Sequence, residues 1–259
     1  MMTASVPALL ELGEPEPVRV LRAEGRSTFV LTADHAGRLF PRRLGTLGVA
    51  APDLERHIAW DIGIAGVTEH LSAALDAPAA LQVYSRLVID CNRDPSWSSA
   101  MPVVSEFTGI PGNRDLTEAD RAARAAAIFQ PYHDRIAALL DARQAAGQRT
   151  ILVAMHSFTP VFRNQSRAVE VGVLYDRKTR LAEIMLDLLR AEGGLTVGEN
   201  EPYALTQDSD YSIPTHGEGR GLEHVEIEIR QDLIAGAAGQ AVWGERFGRF
   251  LTLALERLG

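Results

Sequence analysis

The chain has 259 residues, 46% of them hydrophobic and 23% charged, with a formal net charge of −8. That length supplies the core of one large α/β domain or two small ones, and the acidic balance disfavours nonspecific nucleic-acid or anionic-membrane binding. There is no apolar run of about 18 residues to span a membrane, residues 1–17 lack the basic start of a signal peptide, and Cys91 is the single cysteine; a cytoplasmic enzyme or binding protein without disulfides is expected.

Residues 1–25 read as an extended lead-in with an edge strand at 18–22, and residues 26–259 as one catalytic domain. Residues 28–33 form a short apolar run with little polar alternation, the pattern of a strand buried on both faces of a parallel sheet. The run ends in Asp34-His35-Ala36-Gly37, so a histidine stands where strand gives way to loop. A turn or short helix follows at 41–45. A helical pattern then runs to about Leu75, with Asp53 or Asp61 as its N-cap.

The next apolar stretch, 81–84 and 87–89, is read as a buried strand closing in Asp90-Cys91-Asn92-Arg93. Residues 96–116 form a long Pro, Gly, Ser and Trp-rich loop, of the kind that is usually functional. An Ala-rich helix begins near Thr117 and runs to about Ala146, with a break expected at Pro131. The strand 150–155 then delivers His156 at its exit, repeating the construction at His35. Beyond it come a strand at 169–175, a helix at 181–192 and a polar loop with Asn200, Asp208, Asp210 and His216. An alternating strand at 223–230 and a final helix at 239–258 complete the chain, the helix packing through Val242, Phe247, Phe250, Leu251 and Leu255. Strands alternating with helices predict a single α/β domain, a mostly parallel mixed sheet with helices on both faces.

Two histidines arriving at one carboxyl edge suggest a shared metal site, because ligands of open α/β sheets bind at that edge. Catalytic zinc takes three protein ligands and leaves a position open. The third ligand is open between Asp61, Glu55, Asp53 and His57: Asp61 reaches a metal if the helix begins there, and only orients His57 if it begins at Asp53. Glu228, flanked by Ile227 and Ile229 and on the same side as Glu226, is a candidate base for metal-activated water. An exposed edge strand would also account for that pair. Asn92 and Arg93 offer an amide and a planar fork for a substrate carboxylate. Arg86 is read as that fork's neighbour or as the salt-bridge partner of Asp90 or Asp94, and His216 as a pocket lid or an exposed loop residue. Neither a Gly-x-Ser-x-Gly elbow nor a phosphate-binding glycine loop is present.

The ordered set Asp34-His35-Ala36-Gly37, His57-Ile58-Ala59-Trp60-Asp61-Ile62-Gly63, Ser85 through Arg93, His156-Ser157-Phe158-Thr159-Pro160 and Val225 through Gln231 resembles the N-formylglutamate amidohydrolase family, over about residues 28–235. The resemblance implies an architecture like that of zinc carboxypeptidases and aspartoacylases. It implies Zn2+ held by His35, His156 and Asp61, Glu228 as the catalytic carboxylate, and a substrate clamp of Asn92 and Arg93 joined by Arg86. The expected substrate is a small N-acyl amino acid such as N-formylglutamate, cleaved to formate and the free amino acid, with no nucleic-acid or membrane partner. Two departures, the missing His-x-x-Glu pair and a 53–61 segment unlike Asp-Thr-Asp-Trp-His, leave room for another N-acyl amino acid. The rival readings are a zinc peptidase or peptidoglycan-type amidase, and a binding protein without turnover.

Overall fold

Aliphatic and β-branched runs without polar alternation become the middle strands of one sheet, since such runs are stable only when covered on both faces. A computed structural model describes residues 8–259. In chain order, β1 (Val18–Leu21) and β2 (Phe29–Ala33) precede α1 (Ala51–Leu54), α2 (Ile64–Leu75) and β3 (Ala79–Gln82). A small hairpin, β4 (Val104–Ser105) and β5 (Thr108–Gly109), interrupts the long loop before α3 (Glu118–Arg124) and α4 (Gln130–Ala145). Then come β6 (Ile151–Phe158), a second hairpin of β7 (Val161–Phe162) and β8 (Gln165–Ser166), and β9 (Val171–Leu174). The chain continues with α5 (Arg180–Glu192), β10 (Val197–Glu199), β11 (Glu223–Arg230) and α6 (Ala237–Leu258).

Seven strands form a single mixed sheet in the order β1-β3-β2-β6-β11-β9-β10. Only β1–β3 and β9–β11 pair antiparallel; the other pairings are parallel. One face carries α2, α5 and α6: Val225, Ile227 and Ile229 of β11 and Val153 and Met155 of β6 pack there with Leu71, Met185 and Phe247. The other face is covered by α4, where Tyr132, Ile136 and Leu140 meet Val30, Leu152 and Ala154. Each large apolar side chain buried in these layers stabilises the fold by about 1.5–3 kcal/mol. Toward the carboxyl ends of β2, β6 and β11, the residues facing the α4 side turn polar, and the site lies there. Among the described residues no helix is long and apolar enough to cross a membrane.

The elements depart from the sequence-based expectations in places that matter. The apolar stretch after β3 is not a strand: β3 ends at Gln82, and residues 83–93 are turns and loop with one isolated bridge, outside the sheet, between Leu39 and Tyr84. Tyr84, Leu87, Val88 and Ile89 are apolar because they fill the second core, not because they pair in a ladder. β6 extends past Met155 to Phe158, so His156 stands within the strand. β11 is no exposed edge; it lies between β6 and β9, and Glu226 and Glu228 are buried. In α6, Val242 points to solvent while Trp243 takes the core position. Pro131 falls at the second position of α4 in a helical run continuous from Glu118 to Ala145, directly after a wide turn at Ala125–Phe129 where the regular helix is interrupted. The lead-in supplies the edge strand β1; its residues 1–7 lie outside the described part.

Candidate active site

The segment between β2 and α2 holds the first half of the site. α1 ends at Leu54 and α2 begins at Ile64, so Asp61 sits in the connection just ahead of the helix, and its N–H donates to the His35 carbonyl at 2.9 Å. Gly63 makes that connection possible. It has φ +83°, and a Cβ there would stand 2.1 Å from the Ile234 carbonyl oxygen. The parallel ladder supplies the second half: Glu228 of β11 is the Cα partner of His156 of β6, and the pleat points both to the same face.

His35, Asp61 and His156 converge there, all buried, each offering one atom within 4.8 Å of the others. Asp61 Oδ2 lies 3.5 Å from His35 Nδ1 and 3.2 Å from His156 Nδ1. The far nitrogens meet carboxylates. His35 Nε2 is 2.7 Å from Asp90 Oδ1, and His156 Nε2 is 3.3 Å from Asp34 Oδ2. Asp34 in turn accepts a 2.7 Å hydrogen bond from the Tyr132 hydroxyl. The Asp90 bond to His35 is the arrangement that fixes ring orientation at metal sites, whereas His156 Nε2 and Asp34 Oδ2 lie close without a hydrogen bond.

Electrostatics follow from burial. Burial pushes the Glu228 carboxyl up to about 8, with His156 opposing and Asp61 adding to the rise, and Glu226 reaches about 8 by burial too. Burial alone would lower the His156 imidazole, but Glu226, Asp34 and Asp61 together hold it well above its usual value. Burial likewise works against ionised Asp61, yet the two histidines bring its carboxyl far below the usual range. Glu228 Oε2, Glu226 Oε2 and His35 Nδ1 are buried without a hydrogen-bond partner. Orphaned acceptors of this kind call for a cation or a proton, and two imidazoles with a carboxylate suit a metal that accepts nitrogen and oxygen ligands.

A cavity of about 510 Å³ opens over this cluster, lined on the polar side by Glu228, Arg86, Asn92, Arg93, His57 and Glu106, and on the apolar side by Phe158, Phe162, Leu174 and Tyr203. The N-formylglutamate amidohydrolase family matches residues 27–235, a span that contains every one of these side chains. The chain belongs to that family. Among solved structures it is similar to the gene product Atu2144 of Agrobacterium tumefaciens, at 41% identity and a TM-score of 0.92, covering 96% of this chain and 99% of that one. It shares its fold with the N-formylglutamate amidohydrolase of Ralstonia eutropha JMP134, at 20% identity and a TM-score of 0.64, over 93% and 98% of the two chains. None of the curated proteins matches the sequence significantly.

The remaining candidates of this amidohydrolase-family chain fall in different places. Arg86 is engaged: Nε and Nη2 donate to Asp90 Oδ2 at 3.0 and 2.6 Å, and Nη1 reaches Asp61 Oδ1 at 3.4 Å. Its geometry serves the carboxylates behind and within the histidine cluster. Asn92 Nδ2 and Arg93 Nη1 both donate to Asp210 Oδ1, at 3.0 and 3.2 Å. Glu55 pairs with Arg38 at the surface and Asp53 with Arg56, away from the histidines. His57 lines the cavity but faces Glu106, 3.6 Å away. His216 is neither lid nor exposed. It is buried behind α4, with Nε2 2.9 Å from His133 Nδ1, and does not line the cavity. Sequence reading missed Asp34, Tyr132, Glu106 and Tyr203. Only Asp34 carried a signal, being an acid at the end of an apolar strand beside a candidate ligand.

Proposed function

We propose that this chain hydrolyses the amide bond of an N-formyl, or other small N-acyl, amino acid such as N-formylglutamate, releasing formate and the free amino acid, and that it does so with zinc. The observation that carries the reading is the meeting of the His35, Asp61 and His156 donor atoms beside the unpartnered Oε2 of Glu228, on one wall of a cavity sized for a small molecule. The two imidazoles and the carboxylate would hold the ion. When bound, zinc polarises a carbonyl oxygen and makes water acidic enough to attack it.

The protein's own groups account for the rest of the reaction. Glu228, directly opposite His156 in the ladder, takes the proton of the attacking water and returns it to the departing amine nitrogen, so a single carboxyl serves both halves. Its burial favours the protonated form that the second half requires. Asp90 keeps the His35 imidazole turned toward Asp61, and Arg86 holds Asp90 in place. Arg93, on the polar wall, supplies charge for the amino-acid carboxylate, and Phe158, Phe162 and Tyr203 shield the reacting carbonyl from bulk water. A cytoplasmic enzyme of amino-acid metabolism is the setting this chemistry implies.

The test is direct. Purified protein is assayed for metal content and for formate release from N-formyl-L-glutamate, before and after chelation and zinc addition. Zinc near one per chain and zinc-dependent formate release are expected. A stoichiometric metal with no cleavage of any N-formyl or N-acetyl amino acid would sink the reading.

A further inference from the structure

Asn92 and Arg93 open onto the cavity, yet they already hold a carboxylate. Both donors converge on one oxygen, Asp210 Oδ1. Two nitrogens from neighbouring residues meeting one carboxylate oxygen describe a seat for that group, whoever fills it. The other oxygen, Oδ2, is held by its own loop, accepting from the Ser209 hydroxyl and, at 3.3 Å, from the Thr206 N–H. The loop is anchored on either side of this point, by Leu205 buried in the core and by Asn92 Oδ1, which accepts the N–H groups of Tyr211 and Ser212, both at 2.9 Å. Residues 206–208 are exposed.

Asp210 is also a partition. It lines the reaction cavity and a second cavity of about 430 Å³ that contains Arg177 and Trp97. A side chain released from the Asn92–Arg93 seat therefore has space to enter; Asp94 and Glu218 line that cavity too, and Arg177 Nε stands 3.7 Å from Glu218 Oε2, so the guanidinium there is one the displaced carboxylate would share.

We propose that Asp210 is an internal occupant of the substrate-carboxylate seat, and that an anionic substrate binds by displacing it into the second cavity. This rests on the N-acyl amino acid reading above. The displacement lowers apparent affinity by the fraction of molecules whose seat is free. It also gives selectivity: a neutral amide cannot replace the carboxylate lost by Arg93, so the seat stays closed to it. Asp210 thus sets specificity without taking part in bond cleavage.

The test uses glutarate, a dicarboxylate that cannot be hydrolysed, and glutaramide, its neutral counterpart, so that binding is read apart from turnover. Calorimetry on the metal-loaded protein should show Asp210→Asn binding glutarate about tenfold more tightly than the wild type, with glutaramide unaffected. In the wild type, a crystal structure of the glutarate complex should show the ligand carboxylate on Asn92 Nδ2 and Arg93 Nη1 with Asp210 Oδ1 withdrawn from both, whereas glutaramide should leave Asp210 seated. Equal or weaker glutarate binding in the variant, or glutarate bound with Asp210 still on Asn92 and Arg93, overturns the proposal. Should Asp210→Asn fail to fold, the wild-type complex still decides, and Ser209→Ala, which loosens Oδ2, should shift glutarate affinity the same way by a smaller factor. Failure of the hydrolase reading is scored separately, by absence of formate release in a wild type that binds glutarate as described.

Discussion

At the scale of single residues, the proposed function separates holding a metal from moving a proton. His35, Asp61 and His156 bring their donor atoms together, and Glu228 is not one of that group. His35→Ala and His156→Ala should each lose most bound metal, whereas Glu228→Gln should keep it and lose turnover by about 10²-fold or more. Metal analysis alongside kinetics distinguishes them, and full metal with wild-type rate in either histidine variant would refute the site. Asp90 carries a subtler expectation. It hydrogen-bonds His35 and is the main partner of half-buried Arg86, so Asp90→Asn should weaken metal affinity by about 10–100-fold. The same change leaves Arg86 short of a counter-charge, and a loss of about 3 kcal/mol in denaturant stability should accompany it.

At the scale of elements, the connection from β2 to α2 is set by backbone clearance. Gly63 combines positive φ with contact against the Ile234 carbonyl, so Gly63→Ala should cost about 2 kcal/mol or more. Because Asp61 lies two residues away, metal affinity should fall with stability. A destabilised variant with unchanged metal affinity would show that Asp61 is positioned by its own bonds to His35 and Ser157 instead. Packing elements on the opposite face should behave differently. Phe247→Ala in α6 should cost about 3–5 kcal/mol, yet leave metal affinity per folded molecule unchanged, since it touches only the core away from the cavity.

At the scale of the whole molecule, burying Glu228 links stability to pH. Its carboxyl titrates near the model-peptide value of 4.5 when unfolded and near 8 when folded without metal, so folding takes up a proton between those values. The metal-free wild type therefore loses this contribution as pH rises from about 4.5 to about 8. Glu228→Gln, with no proton to lose, should gain stability relative to it across that window, with the difference flat below 4.5. Paired denaturant unfolding of the two metal-free proteins from pH 4 to 8.5 measures it; a difference that shrinks as pH rises would contradict the assignment.

The strand–helix alternation was legible in the sequence: burial on both faces leaves a continuous apolar run at β2 and β6, each leading to a histidine, and period-two alternation marks β11 at residues 223–230. Five separated motifs likewise carried the family. The family motif pointed to Asp61, but the residue pattern left the acid that joins the histidines open, and tertiary structure decided it. Asp53, Asp61 and Glu55 look alike along the chain, and only the ending of α1 at Leu54 and the clearance at Gly63 bring Asp61 to them. It also decided that residues 87–89 fill a core instead of pairing, a distinction invisible to hydropathy because both environments exclude water. The engagement of Arg86 by Asp90 and of Asn92 and Arg93 by Asp210 belongs to the same class. A charged group's partner is whichever opposite charge folding brings within a few ångströms; for Arg93 it comes from 117 residues away, and no local pattern records it.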